Sequence, residues 1–452
     1  MKILVIGSGG REHALLWALE KSAQPSLKLF CAPGNAGIAE IAECVGINAT
    51  DVPALVQFAG EQKIDLTIVG GEAPLAAGIV DAFETRNLSI AGARRNAARL
   101  ESSKAFAKDF MARHNIPTAR YHIADSFLEA QRILGSGEFG DENSSVVIKA
   151  DGLAAGKGVI VARSRSEASS AINVLMEGRL VGAEAARRIV IEEALSGPEV
   201  SLLLFADGRD YALMPAARDH KRVGENDTGP NTGGMGAITD ASVLDEETLK
   251  RMEREVVAPT LEGARSEGFP FRGVLFIGLM LTPDGPRVLE YNVRFGDPEA
   301  QAILVRLQTD LVDVFEAVAH GRLGEVSVRW AEESSACVVL ASRGYPARPE
   351  TGARIEGLDR AAQHEGVEIF HAGTTRSASG DWLTAGGRVL GVTATAPTLE
   401  LALSRCYGAV GDIHWDGMQY RRDIGKFSER QNPENRIQES EFRSQNIGLK
   451  PH

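Results

Sequence analysis

The first hundred residues alternate in a way that leaves few folds open. "KILVIG", "GREHALLWALEKS", "KLFCAP", "VPALVQFAGEQ", "IDLTIVGG" and "PLAAGIVDAFETR" read strand, helix, strand, helix, strand, helix. Short continuous apolar runs suit strands covered on both faces, and the longer segments carry helical periodicity. Parallel strands need a crossover between them, so this order predicts a layered α/β domain over residues 1–103. From "SKAFAKDFMARHNIP" onward the pattern changes to short strands and glycine loops with intervening helices, an α+β body over 104–330 that closes near a helix in "AQAILVRLQTDLVDVFEAVAHG". "SSACVVLASRGYP" and "GRVLGVTATAPTLELALSRCYGAV" predict a small α+β domain over 331–425, and the polar stretch 426–452 reads as a tail without an apolar period.

Composition narrows the function classes. The chain has 452 residues, 44% hydrophobic and 24% charged, which suits several globular domains with proper cores. A net charge of -12 argues against broad nucleic-acid binding and leaves room for a local basic cleft around a small phosphorylated ligand. Cys31, Cys44, Cys337 and Cys406 lack metal-ligand spacing and suggest buried thiols in a reducing compartment. The start "MKILVIGSGG" has no signal-peptide pattern and no apolar run reaches membrane-spanning length, so a cytoplasmic bacterial enzyme is expected.

"GSGGREH" follows a strand and opens a helix, which invites the dinucleotide fingerprint, but Glu12 stands at the third glycine position. No acidic residue closes the next strand to take a ribose hydroxyl, so a nicotinamide dehydrogenase is disfavoured. Gly9, Gly10 and Arg11 could still hold a phosphate monoester at the helix start; a bare strand-to-helix turn is the alternative.

"VVIKADGLAAGKGVIVA" sets Lys149 at the end of one strand and Lys157 in a glycine loop before the next. It is not a Walker loop, and two readings stand: a solvated hairpin, or a polyphosphate cradle in which glycines expose backbone N–H groups and lysines supply charge. "RIVIEEALSGPEVSLLLF" places Glu192, Glu193 and Glu199 around a link between strands, where carboxylates suit a ribose or an adenine amine and the backbone at Ala194 and Leu195 can read a base edge. "ARDHKRVGENDTGPNTGGMGA" joins Asp219, His220 and Lys221 to a glycine-rich loop able to order over a ligand. His220 reads better as a hydrogen-bonding residue than as a general base.

In "GPRVLEYNVRFGDPEAQ", period-two alternation predicts Val288, Glu290, Asn292 and Arg294 on one face and Leu289, Tyr291 and Val293 on the other. Glu290 and Asn292 make a hard-oxygen pair suited to magnesium, and Arg294 can meet a phosphoryl group. "GDPE" turns Asp297 and Glu299 to the same end. A surface ladder would explain Glu290 and Arg294 but needs neither Asn292 nor the turn.

These segments in this order, preceded by "VIGSGGREHAL" and "ESSKAFAKDFMARHNIPT", closely resemble the phosphoribosylamine glycine ligase family, the glycinamide ribonucleotide synthetases of purine biosynthesis. The resemblance runs from residue 1 to about 425. It implies an ATP-grasp body of two lobes, with a mobile small lobe at about 120–193, between a Rossmann-like N-terminal domain and a small C-terminal domain. It also implies ATP, magnesium or manganese, glycine and phosphoribosylamine as ligands, and a monomer. Residue by residue, it assigns Lys104, Lys149 and Lys157 to ATP phosphates, the link Glu192, Glu193, Ala194 and Leu195 to adenine, Glu199 to the ribose, and Glu290 and Asn292 to the metal. Gly9, Gly10, Arg11, Lys221, Arg294, Asp297 and Glu299 fall on the substrate side, Asp219 faces an amine, and Arg294, Lys149 and Asp219 carry the catalytic roles. Gly71, where the family usually has proline, "IAGARRNAARLE", in place of a Gly-Pro turn, and the tail depart from the pattern. A related ATP-grasp ligase or carboxylase, or a non-catalytic nucleotide-binding protein, are the alternatives.

Overall fold

The computed structural model describes residues 1–154, 158–178, 182 and 187–426. Lys157 and all of the tail beyond residue 426 lie outside them. The alternation of the first hundred residues folds into a five-stranded sheet in the order Glu43–Cys44, Lys28–Pro33, Lys2–Gly7, Leu66–Val69, Ile90–Ala91. Every neighbouring pair is parallel. The helix Val52–Gln62 matches its predicted span because both ends are specified locally. Asp51 accepts from the Ala54 N–H, proline lies in the first turn, and Lys63 adopts the left-handed conformation that ends it. The single helix predicted in "PLAAGIVDAFETR" is instead two, Glu72–Ala77 and Ile79–Thr85, broken at Gly78 with φ of 86°.

Two antiparallel four-stranded sheets follow. One has the order Tyr121–Ala124, Ile189–Glu193, Val146–Ala150, Val159–Ala162, and its core is built entirely from residues between Ala124 and Ile191. The other has the order Tyr211–Leu213, Glu199–Asp207, Arg272–Thr282, Gly285–Asn292. Its core is continuous with the parallel sheet, where Leu4, Phe30 and Phe83 join Leu202, Leu275 and Tyr291 in one cluster. The link 194–198 thus carries the chain from one sheet to the other. The long helix predicted at 300–321 is broken into Glu299–Leu304 and Leu311–His320, because Asp310 caps the second piece by accepting from Val312 N at 2.9 Å.

The last sheet takes Arg218–Asp219 and Gly236–Thr239 beside Ser334–Ala341, Arg388–Ala396 and Val367–His371, so it straddles the expected boundary at residue 330. Cys31, Cys337 and Cys406 are buried free thiols, whereas Cys44, expected to be buried, is exposed. Among the described residues no helix is long and apolar enough to cross a membrane.

Candidate active site

A cleft of about 640 Å³ opens where these layers meet, with walls from helices of the N-terminal domain, from both antiparallel sheets and from the C-terminal domain. Its floor is the strand Gly285–Asn292. The alternation expected there does not hold. Opposite Gly278 and Leu279 the register skips from Glu290 to Val288, leaving Leu289 as the extra residue of a bulge. Val288 therefore turns into the core with Tyr291 and Val293, and Leu289 joins Glu290 and Asn292 along the cleft. Two side chains exchange faces while the two candidate metal ligands keep theirs.

Burial pushes the Glu290 carboxyl up, but Lys221, Lys149, Lys104 and Arg294 together outweigh it and hold the group below the usual range. Glu290 is thus ionised. The Asn292 Oδ1, which accepts from Arg294 Nη2 at 3.2 Å, sits two residues along the same wall. An ionised carboxylate beside an amide oxygen is a hard-oxygen donor set of the kind magnesium takes. Among the described residues no group of three or more His, Cys, Asp or Glu is arranged to hold a metal, so further oxygens would have to come from a ligand.

Facing the floor are lysines from the preceding helix and the neighbouring sheet. Lys104 begins the helix Lys104–Arg113, capped by Ser103, and donates to Gly152 O at 3.2 Å. Burial lowers its pKa, partly offset by Glu290. Lys149 Nζ donates to Leu289 O at 3.0 Å and lies 3.0 Å from Glu192 Oε1. The bulge thereby fixes the ammonium. Glu192, assigned to adenine by resemblance, lines the cleft and is shared between Lys149 and Lys108, the latter at 3.0 Å and equally buried. Burial lowers Lys108 to about 8 despite Glu192, and its ammonium also donates to Thr118 Oγ1 at 2.7 Å. Glu193 turns outward to Arg120 at 2.8 Å. The backbone of the link at Ala194 and Leu195 still lines the cleft.

The opposite wall belongs to the N-terminal domain. Arg294 is anchored by Phe295, which packs against Phe205 and Phe315 at ring separations of 5.9 and 6.5 Å. Its guanidinium meets Glu101 at 2.7 Å and Glu72 at 3.2 Å, and the two carboxylates raise its pKa against the opposing effect of burial. At the first helix, the Gly9 N–H donates to Glu12 Oε2 at 2.6 Å and Arg11 pairs with Glu12 Oε1 at 2.7 Å. Glu12 thus caps its own helix from the third position, so the N–H of Gly9 is engaged rather than open to a phosphate. Gly10 packs against Gln301, where a Cβ would come within 2.7 Å of Nε2. Of the three, only Arg11 lines the cleft.

A second electrostatic cluster lies on the glycine-rich loop. Lys221 pairs with Glu199 at 2.8 Å, and Glu199, Asp219 and Glu290 raise its pKa against burial. Burial pushes Asp219 up to about 6 and Glu299 up to about 7, and each raises or is raised by a neighbouring carboxylate. Asp297 differs: burial is outweighed by Arg388 and Arg11, and Arg388 Nη2 reaches its Oδ2 at 3.0 Å. His220 is buried and lowered to about 4, chiefly by burial, so it is a neutral hydrogen-bonding residue.

The structure therefore brings Arg11, Lys104, Lys149, Glu192, Glu193, Ala194, Leu195, Glu199, Asp219, Lys221, Glu290, Asn292, Arg294, Asp297 and Glu299 to one cleft, with Gly9 and Gly10 behind its rim. Sequence reasoning missed Lys108, Glu72, Glu101 and Arg388, each identifiable only through a partner distant in the chain.

Residues 1–101, 102–300 and 335–427 match the phosphoribosylglycinamide synthetase N domain, ATP-grasp (A) domain and C domain. The phosphoribosylamine–glycine ligase of Brucella melitensis is 47% identical over 426 residues, 94% of this chain and 97% of that protein. That of Salmonella typhimurium is 48% identical over 430 residues, covering 94% and 98%. The crystal structure of phosphoribosylamine–glycine ligase from Thermotoga maritima superposes with a TM-score of 0.80 at 33% identity, over 94% of this chain and 100% of that one. With family matches across its three domains and relatives aligned over nearly its whole length, the chain belongs to the phosphoribosylglycinamide synthetase family.

Proposed function

We propose that the protein is an ATP-dependent ligase that joins glycine to 5-phosphoribosylamine, giving glycinamide ribonucleotide, ADP and phosphate in the second step of purine biosynthesis. Family membership supports the activity class. The observation that carries the chemistry is the ionised Glu290, with Asn292 beside it, in a cleft shared with Lys104, Lys149 and Arg294.

Within this reading, residues 1–103 form a Rossmann-like substrate domain, 104–330 the ATP-grasp body and 331–425 a small closing domain. The separate core of 124–191 supports a small lobe at about 120–193 that moves as a body. Lys104, Lys149 and Lys157 hold ATP phosphates, the backbone at Ala194 and Leu195 reads the adenine, and Glu199 takes the ribose. Lys108 and Glu192 keep Lys149 in place. Magnesium, or manganese, held by Glu290 and Asn292 would neutralise phosphate charge.

A carboxylate does not condense with an amine in water at a useful rate, so it must be activated. One glycine carboxylate oxygen attacks the γ-phosphorus and ADP leaves, giving glycyl phosphate. The ribosylamine nitrogen then attacks the carbonyl carbon, and phosphate departs with that glycine oxygen. Lys149 and Arg294 offset charge on the phosphoryl oxygens, Asp219 faces the amine, and Arg11, Lys221, Asp297 and Glu299 lie on the substrate side. No covalent enzyme intermediate is needed, and the enzyme works as a cytoplasmic monomer.

Phosphate release from ATP is the test, with glycine alone, phosphoribosylamine alone and both together, and the product identified by mass. Release requiring both, with glycinamide ribonucleotide formed, is expected. Release driven by bicarbonate in place of glycine would point to a carboxylase and overturn the proposal.

A further inference from the structure

We propose that Arg421 is a positioning residue which, with Asp423, clamps the cleft-lining loop 220–233 to the C-terminal segment and so sets the affinity for the nucleotide. The second half rests on the reading of the cleft as an ATP site.

The loop supplies Lys221, Arg222, Asp227, Asn231 and Thr232 to the cleft wall. It contains two successive non-glycine residues in the left-handed region, Asn226 with φ of 56° and Asp227 with φ of 53°. L-residues enter that region at a cost, so something outside the loop must hold it. The C-terminal segment does so at that very bend. Arg421, whose side chain is 1% exposed, donates through Nη1 to Arg222 O at 3.1 Å and to Asp227 Oδ1 at 2.8 Å. Through Nε and Nη2 it grips both oxygens of Asp423 at 2.8 and 2.7 Å. Asp423 Oδ2 in turn accepts from the Asn226 N–H at 2.7 Å. One carboxylate and one guanidinium therefore hold both left-handed residues.

Neighbouring bonds give the clamp a rigid base. The Gly425 N–H donates to the neutral His220 Nε2 at 2.9 Å, and Tyr407 Oη donates to Arg421 O at 2.9 Å while accepting from Ile424 N at 3.1 Å. At the far end of the loop Gly233 N donates to Tyr345 Oη at 3.1 Å, and Arg388 Nη1 donates to Gly233 O at 2.6 Å. The C-terminal domain thus holds the loop at both ends, and a planar fork at residue 421 matches two carboxylates where an ammonium would not. The consequence reaches the cleft through Lys221, next in sequence to His220 and paired with Glu199.

Asp423→Ala tests this, because Asp423 lies outside the cleft and leaves the Arg421–Asp227 pair to preserve the fold. Trypsin cleavage after Lys221 or Arg222, read by fragment mass without any ligand, reports release of the loop. Cleavage there is expected to rise about tenfold or more at near-wild-type Tm, and KM for ATP to rise about tenfold with kcat changing far less, the scale of one lost charge-assisted hydrogen bond. Arg421→Lys is expected to fall between the wild type and Arg421→Ala. Folded Asp423→Ala protein cut no faster than wild type would overturn the clamp. Faster cutting with unchanged KM for ATP would overturn its link to affinity. Failure of the wild type to bind ATP would overturn the nucleotide reading itself and with it the affinity half, while the clamp is judged by cleavage alone.

Discussion

Removing Arg294 exposes how the N-terminal domain is joined to the cleft. In the folded chain Glu101 is buried, accepts from the Val293 N–H at 2.8 Å and has Arg294 at 2.7 Å as its close cation. Burial still raises its pKa, with Arg294 opposing and Glu72 reinforcing the rise. Arg294→Met fills similar volume but strands this carboxylate, and breaking a buried pair in this way costs about 3–5 kcal/mol. A domain of ordinary stability, about 5–15 kcal/mol, would survive but with a clearly lower urea midpoint.

The pH dependence follows from the sign of the shift. A carboxyl whose folded pKa is raised leaves the folded state with more bound protons than the unfolded state, so its contribution falls as pH rises through the folded pKa. Without Arg294 the rise is larger. The deficit of Arg294→Met should therefore be greatest near neutrality and shrink toward acid, as protonation discharges Glu101. Adding Glu101→Gln should recover most of it. Equilibrium urea unfolding followed by tryptophan fluorescence, at about pH 7.5 and about pH 5.5, measures each arm. A loss below about 1 kcal/mol, an equal loss at both pH values, or no recovery in the double variant would show that Glu101 is not left as an uncompensated buried charge.

Other outcomes follow from the same geometry. Glu290→Ala should lower kcat by about 10²–10³, the scale of losing one charge-stabilising element, while the far-ultraviolet circular dichroism stays native; near-normal turnover would remove Glu290 from the chemistry. Burial raises Asp219 to about 6 and Glu299 to about 7, so both bind more protons folded than unfolded, and stability should fall from about pH 4 to about pH 7. The variant Asp219→Asn with Glu299→Gln should flatten that limb in urea titrations. A methyl at Gly70 would overlap the Glu12 carboxylate that caps the first helix, and Gly70→Ala should cost about 1–3 kcal/mol by thermal unfolding.

Much of this was legible where the determinants are local. The helix Val52–Gln62 carries its own cap, proline and stop, and the strand pair Val146–Ala150 and Val159–Ala162 needed only two β-branched runs flanking glycines. Glu290 and Asn292 lie on one wall of the cleft, as expected of neighbours two apart on a strand. Their neighbour Leu289 was misplaced because a bulge adds one residue without any mark in the alternation. Lys108 and Glu101 look like ordinary helix residues until Glu192 and Arg294 arrive from far along the chain to neutralise them. The two lysines that share Glu192 were out of sight for the same reason: they are tertiary partners. The last sheet crosses residue 330 because strand pairing answers to edges in space and not to breaks in composition.

The proposed chemistry turns on activation of a carboxylate in the cleft as an acyl phosphate. Glycine labelled with ¹⁸O in its carboxylate, turned over with ATP, magnesium and phosphoribosylamine, tests it directly. Inorganic phosphate is expected to carry one glycine oxygen for every glycinamide ribonucleotide formed. Unlabelled phosphate, with the amide product still made, would contradict it.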